Sequence, residues 1–368
     1  MKKSSTSSVV TSRSMPFWCV GNPLADPFGG AVLNRIDSAE VARLIARAKR
    51  DGLIDATAYH DDDLVPWDPE HPEDDLDPAG FTSRKLREIR TILDDAGVSV
   101  NSAVCNLHGH PIFRNGGLCN PDPEIRRLAV SKVKRTLRFG RFFGAKYFIY
   151  WVARDGFEVP VVTRWDQVYD HLADGLNEAV AYIREQKMDN YLGATIEPKP
   201  NEPRGQMFLP TAGHAVGFIC AKLHEPEFWG VNPELLQHEG MALMNSVMTV
   251  AYLVSMNRLK FIHFGSQIKA QFDDDFPPLV GPEGLKETVM MFHALKKLRW
   301  QGTIEFDCHM LRAEADLRDQ LECRYQFIRN CSAALDIALA LADRIGDPRP
   351  GMNQSAADLE CIRQMCAL

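Results

Sequence analysis

Glu197 and Lys199 stand two residues apart in the run Glu197-Pro198-Lys199-Pro200-Asn201-Glu202-Pro203-Arg204-Gly205. In extended chain, side chains two apart leave on the same side, so an acid and an ammonium would face one space. The prolines forbid both helix and ladder pairing, so a strand over 192–197 must end at Glu197 and deliver both groups at its carboxyl end. Other residues able to ligate or transfer protons follow apolar runs in the same way: His60 with Asp63, His108, Glu234 with His238, His263, Asp273 and Asp275, and Asp307. Taken singly, each has a plain explanation: a surface ion pair for Glu197 and Lys199, a satisfied core group for His263 or Asp307, a solvated face for the 273–275 run. Together they imply more. Several carboxylates at short range cannot all stay ionised without cations. Oxygen ligands with one or two imidazoles suit Mg²⁺, Mn²⁺ or Co²⁺, and the lack of cysteine among them argues against structural zinc.

Positioning those residues requires an alternation of strands and helices. Apolar β-type runs occur at 17–21, 54–59, 98–106, 146–152, 192–197, 228–232, 261–264 and 303–307. Amphipathic helical patterns fit between them at 38–50, 83–96, 123–143, 165–186, 213–223, 241–257 and 283–298, and a longer one covers 314–344. Eight such repeats predict an α/β fold, a (β/α)₈ TIM barrel with a C-terminal helical extension. The expected division is a disordered tail over 1–14, a catalytic barrel over 15–312 and an extension over 313–368. In such a barrel the active site is built at the strands' carboxyl ends, where the residues named above fall. The extension carries apolar positions Ala334, Leu335, Ile337, Ala338 and Leu341, which predict packing on another subunit and hence a dimer or tetramer.

The formal charge is -7, and beyond Lys2-Lys3 no dense basic block occurs, which argues against a nucleic-acid partner. Nine cysteines are scattered singly, without CxxC, as expected of reduced thiols in a cytoplasmic protein. The Ser/Thr-rich start lacks the apolar core of a signal peptide, and no apolar run approaches ~20 residues, so no membrane association is expected.

The motifs Asp26-Pro27-Phe28-Gly29, His60-Asp61-Asp62-Asp63-Leu64, the Glu197 to Gly205 run, Asn232-Pro233-Glu234 and Asp273-Asp274-Asp275 resemble those of the xylose isomerase family over most of the chain. The resemblance implies a metal-dependent aldose to ketose isomerase with two divalent ions and no organic cofactor. His60, supported by Asp63, would assist sugar ring opening, and Lys199 would polarise the carbonyl oxygen at C1. Trp18 and Trp151 would wall the pocket, and Phe28 would reach a neighbouring subunit's site. One metal site would use Glu197, Glu234 and Asp307 with His263; the other would use Glu234, His238, Asp273 and Asp275. The chemistry would be a hydride shift between C2 and C1.

Departures from the family pattern are also legible. His263 stands where an aspartate ligand is usual, which favours Mn²⁺ or Co²⁺ over Mg²⁺. Three residues separate Glu234 from His238 instead of the usual two, so Gln237 or Glu239 is an alternative occupant of that place. His108 and Val104 replace a phenylalanine and a threonine of the sugar pocket, and Gln206 replaces an aspartate. The alternatives to a sugar isomerase are a different metal-dependent reaction on the same barrel (hydrolase, lyase or epimerase) and a non-catalytic binding role.

Overall fold

The computed structural model describes residues 9–25, 29–72, 80–270, 275–281 and 284–367. Eight parallel strands form the core: Val10–Ser14, Ala56–His60, Ser99–Val104, Tyr147–Trp151, Gly193–Glu197, Trp229–Val231, Ile262–Phe264 and Gly302–Phe306. Ladders join them in chain order, and the first strand pairs with the eighth. The sixth and seventh close the ring through the parallel bridges Val231↔Leu259 and Glu234↔His263. The expected (β/α)₈ barrel is therefore present.

Helix starts and stops follow local chemistry. Helix Ser38–Arg50 begins at Asp37, whose carboxylate accepts from the Ala39 amide at 2.8 Å, and ends in Arg47, Lys49 and Arg50, which suit the carbonyl end of the helix dipole. Helix Pro123–Phe143 is capped by Asp122, starts on proline and stops at Gly144, whose φ of +71° is cheap only for glycine. The pattern read as one helix over 241–257 is two pieces, His238–Met241 and Ser246–Ser255. Leu243 turns left-handed (φ 58°), and Asn245 accepts from the Val247 and Met248 amides and starts a new helix.

The first strand is the main correction. The apolar run 17–21 is a short helix, Phe17–Gly21, with Pro16 at its N-cap position. The strand itself is Val10–Ser14, inside the segment expected to be a disordered tail. It escapes a hydrophobicity reading because its inward contact is polar: the Ser14 hydroxyl donates to Glu305 inside the barrel. Outside, Arg13 donates to Ser332 at 3.0 Å and pairs with Asp336 at 2.5 Å. Those partners lie on helix Gln320–Arg344, which packs against Ser38–Arg50 and Leu285–Lys297 and so fills the eighth helix place of the barrel. The extension expected from 313 shrinks to helix Gln354–Cys366. Leu335 and Ala338, expected to meet another subunit, are buried against this chain's own barrel, whereas Ile337 is exposed.

Apolar side chains form two clusters. The large one lies between strands and helices. The small one, Val104, Ile149 and Phe261, is packed against Trp18 and Trp151 at the cavity described next.

Candidate active site and metal centre

A cavity of about 160 Å³ at the carboxyl ends of the strands is lined by Trp18, His60, Val104, His108, Trp151, Glu197, Lys199, Glu234, His238, Asp275 and Asp307. It gathers most of the residues singled out from the sequence. A wider space of about 430 Å³ shares His60, His108, Asp275 and Asp307 with it and leads outward past Asp62, Asp63 and His309. Phe28 and Asp273 lie outside the described residues.

Glu197 ends the fifth strand and Lys199 follows it through Pro198; both are almost completely buried. Lys199 Nζ lies 5.7 Å from the Trp151 ring centroid. His60 ends the second strand, where its backbone amide donates to Asp63 Oδ2 at 2.7 Å while its Nδ1 lies 3.4 Å from the same carboxylate. Burial opposes charge on His60, but the Asp63 carboxylate outweighs it and raises the imidazole pKa. The indole of Trp18 packs on His60 at 4.7 Å between ring centroids and donates to Asp307 Oδ1 at 2.7 Å.

Glu197, Glu234, His263 and Asp307 bring one ligand atom each to within 4.8 Å of one another. Register explains how. Phe306 pairs with Phe264 and Glu305 with His263, so His263 sits one layer below Asp307, and the residue level with Asp307 is Gly265. A Cβ on Gly265 would meet the Asp307 carbonyl oxygen at 2.5 Å and the Gln237 amide at 2.7 Å. His263 therefore reaches up from below, its Nδ1 2.8 Å from Asp307 Oδ2 and 3.3 Å from Glu197 Oε2. Although burial disfavours its charge, Glu197 and Asp307 raise its pKa well above the ordinary value. Asp307 is lowered to about 2: burial would raise it, but the His263 charge prevails. Burial raises Glu234 well above the ordinary value, the His238 charge opposing and Asp307 adding to the rise.

Whether these residues suit a cation is answered by their hydrogen bonds. Glu234 Oε2 and His263 Nδ1 are sealed from solvent and, among the described residues, make no aligned hydrogen bond. They nevertheless have close neighbours: His238 Nε2 lies 2.6 Å from the first and Asp307 Oδ2 2.8 Å from the second. Donor atoms that crowd together without pointing at one another converge on a common centre, the arrangement a divalent ion requires. Three carboxylates and an imidazole suit Mn²⁺, Co²⁺ or Mg²⁺.

The extra residue between Glu234 and His238 is accommodated by division of labour. Gln237 turns inward and donates to Asp275 Oδ1 at 2.9 Å and to the Asp307 carbonyl at 2.6 Å. His238 stays at the site, its Nδ1 3.1 Å from the Pro198 carbonyl oxygen. Glu239 faces away and accepts from the Ala212 amide at 2.7 Å. Asp275, held in a left-handed backbone (φ 45°), contacts Gln237 and His309 and is not among the four clustered ligand atoms.

Three groups escaped the sequence reading. Glu305 is buried inside the barrel level with His263, where a strand pattern gives no reason to look for a carboxylate. Asp61, read as part of a solvated acidic run, is fully buried and accepts from Lys132 Nζ at 2.5 Å, Arg135 Nη1 at 2.5 Å and the Asn106 amide at 2.9 Å. It anchors the turn that carries His60 and Asp63. Asp62 beside it is pushed up to about 7 by burial and by the Asp61 charge. Lys132 and Arg135 alternate with apolar residues on an amphipathic helix, and the acidic triplet they complement was the signal that could have found them.

The sequence profile described as xylose isomerase-like TIM barrel matches residues 63–331. The chain is 34% identical over 315 residues to a xylose isomerase of Thermus thermophilus, covering 85% of this chain and 75% of that one. Among solved structures, an L-ribulose 3-epimerase superposes with a TM-score of 0.60 at 14% identity, over 90% of this chain and 96% of that one. A xylose isomerase-like TIM barrel protein from Mycobacterium smegmatis, in complex with magnesium, superposes with a TM-score of 0.52 at 16% identity, over 89% and 97%. At these identities the structural likenesses establish the fold.

Proposed function

The chain belongs to the xylose isomerase-like TIM-barrel family, and from that premise we propose that it is a metal-dependent sugar isomerase interconverting an aldose and its ketose. The observation that carries this is the cavity between Trp18 and Trp151 lined by Lys199, by His60, which Asp63 contacts, and by Glu197, Glu234 and Asp307 of the four-ligand cluster. At about 160 Å³ it is smaller than the ~300 Å³ or more of drug-sized sites and suits one monosaccharide.

Glu197, Glu234, His263 and Asp307 would hold the divalent ion, with His238 beside Glu234 as a candidate for a second. A bound ion would supply Lewis-acid neutralisation of the charge that develops on the sugar oxygens. The chain's own groups account for the rest. His60, whose pKa Asp63 raises, donates a proton to the ring oxygen as the C1–O bond of the ring breaks and the anomeric hydroxyl gives up its own proton to become the carbonyl. Lys199 then hydrogen-bonds the C1 carbonyl oxygen and draws electron density from C1, which makes C1 the acceptor of hydride from C2, while the C2 hydroxyl gives up its proton to become the carbonyl and the C1 oxygen takes one up. The indole faces of Trp18 and Trp151 exclude water from the open chain. The magnesium in the Mycobacterium smegmatis relative supports a metal in this family.

A second reading is a sugar epimerase, supported by the likeness to L-ribulose 3-epimerase and by an imidazole among the four ligand-type residues. That reaction removes and returns a proton on opposite faces of one carbon. A panel of free aldoses and ketoses offered with Mg²⁺, Mn²⁺ or Co²⁺, with products separated by chromatography, tests the proposal. Aldose–ketose conversion supports it, and turnover confined to ketose pairs differing at one carbon overturns it in favour of the epimerase.

A further inference from the structure

We propose that Glu305 is a positioning residue for the metal centre: it fixes the tautomer and aim of His263, so that Nδ1 faces the cation. This rests on the metal-binding part of the proposed function, and on nothing about the sugar.

Glu305 is wholly buried inside the barrel, in ladder register with His263 and one layer below Asp307. Its Oε2 accepts from Ser14 Oγ at 2.7 Å and from Asn101 Nδ2 at 2.8 Å; its Oε1 accepts from Ser102 Oγ at 2.6 Å. Three donors on the first and third strands thus hold the carboxylate still. The fourth contact is Oε1 to His263 Nε2, at 3.2 Å. An ionised carboxylate only accepts, so the hydrogen must sit on Nε2. A neutral imidazole so protonated presents its lone pair at Nδ1, the nitrogen that faces Glu197 and Asp307. Asn232 Nδ2 lies 3.4 Å from Nε2, farther than the Glu305 oxygen, and makes its shorter hydrogen bond to Glu197 Oε2 at 3.0 Å.

Two further observations point the same way. Among the described residues His263 is the only basic side chain paired with Glu305, so the remaining acceptor capacity of that carboxylate is directed at the imidazole. Gly265, level with Asp307, has no room for a side chain, so the seventh strand can supply a ligand only from the layer below. A ligand that reaches from that depth must be aimed, and the rigid carboxylate beside it does so. Partners of this kind on a ligating histidine typically change metal affinity 10–100-fold.

The test is Mn²⁺ affinity by titration calorimetry on the full chain, with Glu305→Gln made in the parent and in a His263→Ala background. In Glu305→Gln an amide nitrogen can face Nε2 and favour the opposite tautomer. The expected result is a loss of about 10–100-fold in the parent and less than about threefold in the His263→Ala background. Equal losses in both backgrounds, or no loss in the parent, would overturn the assignment, because a merely structural role does not depend on His263. If Glu305→Gln fails to fold by circular dichroism, Glu305→Asp, which withdraws the carboxylate by one methylene, is read by the same criterion. Sugar turnover is followed separately. A parent that binds Mn²⁺ without turning over any sugar sinks the proposed function and leaves the role of Glu305 to the affinity cycle. Intact turnover with equal Mn²⁺ affinity in parent and variant sinks this inference alone, and a parent that binds no Mn²⁺ sinks both.

Discussion

Metal binding at this site should release protons, and the number follows from the charges around each ligand. In the metal-free protein the Glu197 and Asp307 carboxylates, against the effect of burial, hold the His263 pKa well above 6.5, which favours the protonated imidazole. Glu234 is raised well above 4.5, chiefly by burial, and is a second holder of a proton. Asp307, at about 2, is already ionised and releases none. A ligating imidazole must be deprotonated and a ligating carboxylate ionised. Binding of the first ion should therefore release a proton from His263, with Glu234 able to add another, so that affinity rises with pH by up to about 10-fold per pH unit for each proton released. The sign for the metal-free fold is the opposite. A group whose folded pKa is raised stabilises fully below its unfolded value and loses that contribution as pH climbs through the folded one, so Glu234 favours the metal-free protein less as pH rises from about 4.5 and His263 less as it rises from about 6.5. The gap in melting temperature between metal-free and Mn²⁺-bound protein should widen over the same interval. Calorimetric titration of Mn²⁺ in two buffers of different ionisation enthalpy counts the protons directly. Release of fewer than about half a proton, or affinity independent of pH between about 6 and 8, would refute the assignment of His263 as a ligand.

Lys199→Met should abolish turnover, a drop of at least about 10²-fold, while Mn²⁺ affinity stays within a few-fold, because the ammonium is not among the four clustered ligands; turnover near the parent rate would remove the hydride-shift role. His108 Nδ1 is buried without a hydrogen-bond partner among the described residues, and burial, with nearby His60, Lys132 and Lys199, lowers the imidazole pKa well below the ordinary value. His108→Phe should thus weaken binding of an open-chain polyol such as xylitol by about 10-fold in a tryptophan fluorescence titration, whereas unchanged binding would place His108 outside sugar recognition. His263→Asp should shift metal preference towards Mg²⁺, but Glu305 lies close enough that the new carboxylate needs Glu305→Gln alongside it. Competition of Mg²⁺ against Mn²⁺ on the double variant, followed by the electron spin signal of free Mn²⁺, reads this, and unchanged selectivity would argue against imidazole ligation.

Much of the barrel and its mouth was legible because chain chemistry repeats with period: apolar runs ending in ligand-type residues placed Glu197, Lys199, Glu234, His263 and Asp307 at strand ends. What the sequence hid was hidden for physical reasons. The first strand, Val-Thr-Ser-Arg-Ser, has no apolar alternation because Ser14 faces a buried carboxylate and Arg13 is covered by the helix carrying Ser332 and Asp336. Nothing in the sequence shows that Glu305 and Asp61 are buried, since their burial depends on donors 204 and 71 residues away, Asn101 and Lys132. The layer of His263 was also out of reach: only the register with Glu305 shows that it rises from below while Gly265 stands at the mouth.

Hydride shift and proton transfer differ in the fate of one hydrogen, and following it tests the isomerase reading most directly. The Mn²⁺-loaded protein is incubated with free aldoses in D₂O and the products are read by proton NMR. The account predicts ketose formed with the C2 hydrogen of the aldose retained at C1, no deuterium on carbon, and loss of all conversion with EDTA or in Lys199→Met. Deuterium on carbon, or inversion at one carbon of a ketose in place of aldose–ketose exchange, would contradict it.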